Sequence, residues 1–195
     1  LGGSAFESTS AKEGVNFRPE LGRLTTIGDF AFSRTAQSSV TLPDSVTTVG
    51  EQAFSESTAL TSFHIGAGVT SFAETALYND RKIATLTVSA DNPVYSAEHN
   101  VLYRKADDGL HLMLSPAANT LTDYTVRAGT VEIGATAFAN NKTLTRVVLP
   151  DGLKVIGDDA FAGATALTEL VIPESVERSS GVTGNSLELV EYGSK

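Results

Sequence analysis

An Ala-Phe pair returns along this chain, as Ala5-Phe6, Ala31-Phe32, Ala53-Phe54, Ala137-Phe138 and Ala160-Phe161, with a degenerate copy at Ala76-Leu77. Three residues before most of these Ala stands a Gly, itself preceded by an aliphatic residue: Leu1-Gly2, Ile27-Gly28, Val49-Gly50, Ile133-Gly134 and Ile156-Gly157. Counting Leu77 as a Phe slot, the steps are 26, 22, 23, 61 and 23 residues. The long step reads as one ordinary repeat plus one enlarged by an insertion. A unit of this size cannot bury its own apolar face, whereas stacked units can, so the period demands a solenoid.

A second pattern runs in phase with the first. It is aliphatic-x-x-apolar-x-apolar, often closed by Pro, and is clearest in Leu144-Val147-Leu149-Pro150 and Leu167-Leu170-Ile172-Pro173. Leu60-Phe63-Ile65, Ile83-Leu86-Val88, Leu121-Tyr124-Val126 and Leu187-Val190-Tyr192 follow it; Val40-Leu42-Pro43 and Val15-Phe17 fit more loosely. These eight slots read as short strands, with apolar residues inward and polar ones outward. Stacked in parallel, they would form one continuous sheet. Pro has no N–H to give the ladder and marks strand ends. The repeated Gly allows a turn or a close backbone approach. Acidic residues just after it, Asp29, Glu51, Glu74 and Asp158, suit the start of a short helix or 3-10 turn. The expected fold is an α/β right-handed solenoid: parallel strands on one face, helical turns opposite, Phe between the layers.

Composition narrows the function. The 195 residues carry 14 Lys+Arg against 23 Asp+Glu, a net charge of −9, which argues against nucleic acid or an anionic membrane surface as partner. With no cysteine, disulfides, thiol nucleophiles and thiolate metal sites are excluded. No run of 18 apolar residues occurs, so no membrane-spanning helix is expected. His64, His99 and His111 share no metal-ligand spacing, and Asp107-Asp108-Gly109 matches only part of a calcium loop. Asn141-Lys142-Thr143 fits the glycosylation acceptor pattern. Phosphate-binding loops, nucleophile elbows and zinc-protease motifs are missing, so neither an enzyme nor a cofactor is implied.

The segment Leu144 to Phe161, LTRVVLPDGLKVIGDDAF, resembles the BspA-like type of bacterial leucine-rich repeat nearly position for position. Thr41 to Phe54 is equally close, and Asp91-Asn92-Pro93-Val94-Tyr95-Ser96 with Asn100-Val101-Leu102-Tyr103 resembles a hairpin module common in that family. The likeness covers most of residues 1 to 192. Where the family often has Cys, this chain has Thr9, Thr35, Ser57, Asn141 and Ala164. The resemblance implies a cell-surface or secreted protein that binds rather than catalyses, with host proteins or glycans as partners. Composition alone fits a cytoplasmic protein equally well.

The expected organisation is one leucine-rich repeat domain over 1–195, of about eight repeats, without membrane insertion and monomeric. It starts inside a repeat, which suggests part of a longer protein. Residues 89–120 form the insertion. There Val101-Leu102-Tyr103 and Leu110-His111-Leu112-Met113-Leu114 flank Lys105-Ala106-Asp107-Asp108-Gly109, and Asp-Gly signals a hairpin that projects from the solenoid or lies along it. Residues 177–195 form a terminating repeat or cap: Ser179-Ser180 replaces Ile-Gly, Ser179 to Ser186 favours turns, Leu187 to Tyr192 offers a last strand, and Gly193-Ser194-Lys195 is a tail.

Two clusters are candidate contact surfaces. On the expected concave face the outward positions are Asn16, Ser39/Thr41, Ser62/His64, Thr85/Thr87, Asp123/Thr125, Arg146/Val148, Glu169/Val171 and Leu189/Glu191. A ligand groove would centre on His64, Asp123, Arg146 and Glu169. Alternatively this is a solvated sheet face rich in strand-forming Thr and Val, on which Arg146 and Glu169 simply pair. In the insertion, Tyr95, His99, Tyr103, Arg104 and His111 include residue types common at interfaces. The other possibility is that Tyr95 and Tyr103 pack the hairpin onto the solenoid. At the level of the whole chain, a recognition or adhesion module competes with a structural spacer in a larger surface protein.

Overall fold

The computed structural model describes residues 24–179 and the main chain of 189–193. The expectations for Val15-Phe17, Asn16, Leu1-Gly2, Ala5-Phe6, the turn-forming stretch after Ser179 and the tail beyond Gly193 lie outside them. Contacts divide the chain into two compact units, 1–97 and 98–195. In the first, the strands are β1 (Thr26–Ile27), β2 (Ser39–Thr41), β3 (Thr48–Val49), β4 (Ser62–Ile65), β5 (Ser71–Phe72) and β6 (Thr85–Val88), after which β7 (Tyr95–Glu98) leads into the second. The second continues with β8 (Val101–Ala106), β9 (Gly109–Leu114), β10 (Asp123–Thr125), β11 (Thr130–Ile133), β12 (Arg146–Val148), β13 (Val155–Ile156), β14 (Glu169–Pro173), β15 (Arg178–Ser179) and β16 (Leu189–Gly193).

Seven of the eight expected strand slots fall on described residues, and all seven are strands. They form two sheets, β2-β4-β6 and β10-β12-β14-β16, not the single continuous one expected. Registers match the slot alignment: Val40 pairs with Phe63 and Phe63 with Leu86, Tyr124 with Val147 and Val147 with Leu170. The alternation buries Val40, Phe63, Ile65, Leu86, Tyr124, Val147 and Leu170.

The aliphatic-Gly slots, where a turn or a close backbone approach was expected, are strands too. β1, β3 and β5 pair in parallel, as do β11, β13 and β15. Ile27, Val49, Phe72, Ile133 and Ile156 point inward and meet the core of the facing sheet. At Gly50 the neighbouring coil is so close that a Cβ would stand 2.3 Å from Asp29 Oδ1 and 2.8 Å from Asp29 N. The glycine therefore serves close approach rather than a left-handed turn.

The expected helical turns do not form: among the described residues the Ala-Phe segments hold no helix, and the fold is a β-solenoid rather than α/β. The backbone shows why. Two residues in each such segment are left-handed, Phe30 and Arg34, Gln52 and Glu56, Thr136 and Asn140, Asp159 and Gly163. That alternation turns every second N–H toward the next coil. Phe30, Phe32 and Arg34 donate to the carbonyls of Glu51, Ala53 and Ser55 at 3.0, 2.7 and 2.8 Å, and Thr136, Phe138 and Asn140 repeat the pattern on Asp158, Ala160 and Ala162. A helix would spend those donors within one coil; here they join coils. Asp29 does not cap its own turn either, because its carboxylate accepts the N–H of Glu51 at 2.8 Å.

Phe packs between layers as expected. Phe32 stacks on Phe54 with centroids 5.3 Å apart, and Phe54, Phe63, Phe72 and Tyr95 continue as edge contacts. In the second unit Phe138 stacks on Phe161 at 5.0 Å.

The insertion is the expected hairpin. β8 and β9 pair antiparallel across the two-residue loop Asp107-Asp108, with Ala106 opposite Gly109. It does not project: β9 also pairs in parallel with β11, matching Leu112 to Ile133, and so occupies an aliphatic-Gly slot of the stack. Gly109, at φ 146°, sits where a Cβ would meet Val131 at 2.8 Å and the Gly129 carbonyl at 2.9 Å.

Candidate binding face

In the second unit, β10, β12 and β14 align Asp123, Arg146 and Glu169 in one outward row and Thr125, Val148 and Val171 in the next. Arg146 Nε donates to Glu169 Oε1 at 2.5 Å, and its Nη1 stands 3.5 Å from Asp123 Oδ1. The guanidinium is thus held between two carboxylates, and the Glu169 hydrogen bond raises its affinity for the proton. Val148 and Val171 are half-buried beside it. Leu189 and Glu191 follow in register on β16.

The first unit presents a different face. β2, β4 and β6 align Ser39, Ser62 and Thr85, then Thr41, His64 and Thr87. His64 Nδ1 lies 2.8 Å from Thr87 Oγ1. The face holds no Asp, Glu, Lys or Arg in these rows and is hydroxyl-rich.

The structure places Tyr95 and Tyr103 in the interior. Tyr95 is 3% exposed, its hydroxyl accepting the Phe72 N–H at 2.9 Å. Tyr103 is fully buried, with its hydroxyl 2.5 Å from that of Tyr124, and burial raises the pKa of both phenols. Both tyrosines pack the fold, and neither offers a contact surface. His99 is exposed, with its carbonyl accepting from Asn119. His111 is brought together with Arg104, Asp108 and Glu132.

Beneath the Ala-Phe segments of the first unit runs a buried polar ladder in the slots where the family often has Cys. Thr35 Oγ1 and Ser57 Oγ lie 3.2 Å apart, Gln37 donates to Thr35, and the Ser57 N–H donates to Asp80 Oδ1 at 2.7 Å. The other Asp80 oxygen is buried without a hydrogen-bond partner. Burial, with Glu56 adding to it, pushes the Asp80 carboxyl up to about 8. In the second unit the slot holds Asn141, whose Oδ1 accepts the N–H groups of Thr143 and Leu144. At 1% exposure Asn141 is closed to glycosylation despite the acceptor pattern.

Several features escaped the sequence reading. Hydroxyls hand bonds from coil to coil, Thr145 to the Thr122 carbonyl at 2.7 Å and Thr168 to that of Thr145 at 3.2 Å. The signal was the Thr repeated at each of those positions. Glu132 was missed because β9 was not recognised as a partner of β11. Leu112 lies 21 residues before Ile133, close to the repeat length, which could have shown it.

Stacked coils of two short strands and one Ala-Phe segment define a leucine-rich repeat solenoid. The chain belongs to the family of the BspA type leucine rich repeat region, whose profile matches six copies over residues 1–104 and 117–182. The gap between them covers the end of β8, the hairpin loop and all of β9. A leucine-rich repeat protein from Eubacterium ventriosum is similar at 26% identity with a TM-score of 0.78, over 98% of this chain and 50% of that one. A leucine rich cell surface protein from Faecalibacterium prausnitzii is similar at 26% identity with a TM-score of 0.65, over 88% of this chain and 58% of that one. The pneumococcal vaccine antigen PcpA shares the fold at 22% identity with a TM-score of 0.72, over 90% of this chain and 48% of that one. No curated protein matches the sequence. The chain spans about half the length of the solved proteins it matches.

Proposed function

We propose that this chain is a recognition module of a cell-surface or secreted bacterial protein, binding a host protein or glycan through the outward face of β10, β12 and β14. The observation that carries this reading is the row Asp123-Arg146-Glu169 beside Val148 and Val171. Its charges are oriented before any partner arrives, so little side-chain entropy remains to be lost on contact. Half-buried valines beside an Arg supply the apolar and hydrogen-bonding parts of a contact patch. The cell-surface description of the Faecalibacterium relative supports the location.

A screen of immobilised matrix proteins and a glycan array at physiological salt tests it. The reading expects a saturable hit that Arg146→Glu weakens roughly tenfold or more, the scale of a central interface residue. A hit kept intact by Arg146→Glu and by Val148→Glu would move the contact off this face. The absence of any hit would favour a second reading, a structural spacer in a larger surface protein. That reading draws on Arg146 already having its partners within the face.

A further inference from the structure

His111 stands on β9 with charged groups of three neighbouring elements against its ring. They are Arg104 on β8, Asp108 in the hairpin loop and Glu132 on β11. Arg104 Nη2 lies 2.9 Å from Nδ1, Asp108 Oδ1 lies 3.0 Å from Nε2, and Glu132 Oε2 lies 3.3 Å from the same Nδ1 that Arg104 approaches. An arginine only donates and a carboxylate only accepts. One ring nitrogen therefore faces a donor and an acceptor, and can satisfy one at a time. The His111 side chain is 15% exposed, while Glu132 is 39% exposed and turns to solvent when it is not the partner.

We propose that His111 is a proton-operated selector that decides whether its Nδ1 is tied to Arg104 on the hairpin partner β8 or to Glu132 on the repeat strand β11. With a neutral ring, Nε2–H donates to Asp108 and the Nδ1 lone pair accepts from Arg104, which closes the hairpin on itself. With a protonated ring, Nδ1–H donates to Glu132, Arg104 gives up that acceptor, and the charged ring links the loop through β9 to β11. One proton thus exchanges an Arg104 contact within the hairpin for a Glu132 contact to the next strand of the sheet. Histidine is the side chain suited to making such a change in mildly acid surroundings. The lowered pKa of the Asp108 carboxyl, caused first by its His111 hydrogen bond, fits Nε2 as the constant donor.

The test uses the whole chain. Nitrogen-15 spectra of the His111 ring at pH 8 should show the proton on Nε2 and a bare Nδ1. At pH 5 both nitrogens should be protonated, and the Arg104 side-chain resonances should shift with the same midpoint. Amide exchange at Leu110, which donates to the Gly129 carbonyl on the β11 side, corrected for the intrinsic pH effect, should slow by roughly two- to fivefold between pH 8 and pH 5. That is the range an exposed ion pair supports. Glu132→Ala should abolish this slowing and leave the pH 8 tautomer unchanged. A proton on Nδ1 at pH 8 would overturn the proposal, as would slowing that survives in Glu132→Ala. The ring spectra need no variant, so they decide even if the substitution unfolds the chain.

Discussion

Asp80 is the residue whose chemistry departs furthest from what its position in the chain suggests. It ends the buried hydroxyl ladder with one oxygen bonded to the Ser57 N–H and the other without a partner. With its pKa raised from 3.8 to about 8, it is mostly neutral at pH 7. A raised carboxyl pKa means that the folded state holds the proton more tightly than the unfolded chain does. Its contribution is full below the unfolded value and is lost as pH climbs toward 8, a tenfold difference in proton affinity between the two states being worth ~1.4 kcal/mol. Asp80→Asn keeps an acceptor for Ser57 and removes the titration. The variant should gain melting temperature over the parent progressively from pH 4 to pH 9; a constant difference across that range would show that Asp80 does not titrate there. Gly50 makes the opposite case, where nothing can be added. Its missing Cβ would overlap Asp29 in the neighbouring coil, so Gly50→Ala should cost roughly 1–3 kcal/mol in urea unfolding.

The elements show which parts of the fold the sequence carries in readable form. The longer strand slots were legible because three apolar residues at fixed spacing mark each one, and Val147 pairs with Leu170 as that spacing requires. The register of Arg146 on Glu169 followed from the same alignment. The shorter strands were not legible: two residues such as Thr48-Val49 are too few to show a period. Nor were the Ala-Phe segments, because left-handed Phe30, Gln52 and Thr136 are not residues that announce a positive φ. Their conformation comes from the next coil, which takes the N–H groups so presented. The hairpin was legible through Asp108-Gly109, but its seat beside β11 was not, and with it Glu132 was missed. Within these elements the stacked rings are one set of apolar contacts between coils. Phe138→Ala, which removes a fully buried ring stacked on Phe161, should cost about 3–5 kcal/mol by chemical denaturation. A loss below ~1 kcal/mol would mean that neighbouring side chains collapse into the space.

For the whole molecule the relevant property is that contacts run between neighbouring coils. Stability in such an array is close to a sum of coil and nearest-neighbour terms. Phe54→Ala should therefore raise amide exchange first at Phe32, Val40 and Phe63, which lie in the coils around it, and leave Leu170 at its parent rate. Equal acceleration at all four amides would indicate one cooperative unit.

The Ala-Phe segments carry a consequence for how such a chain can change over generations. The coils of Phe32 and Phe138 offer their N–H groups forward to the next coil through the same backbone atoms. A duplicated stretch of one repeat length would therefore find matching donors and acceptors on both sides. Gain or loss of a whole period is a small edit to this architecture, and the steps of 22 and 23 residues show that a single residue is taken up inside a period with the donors of the next coil still in step.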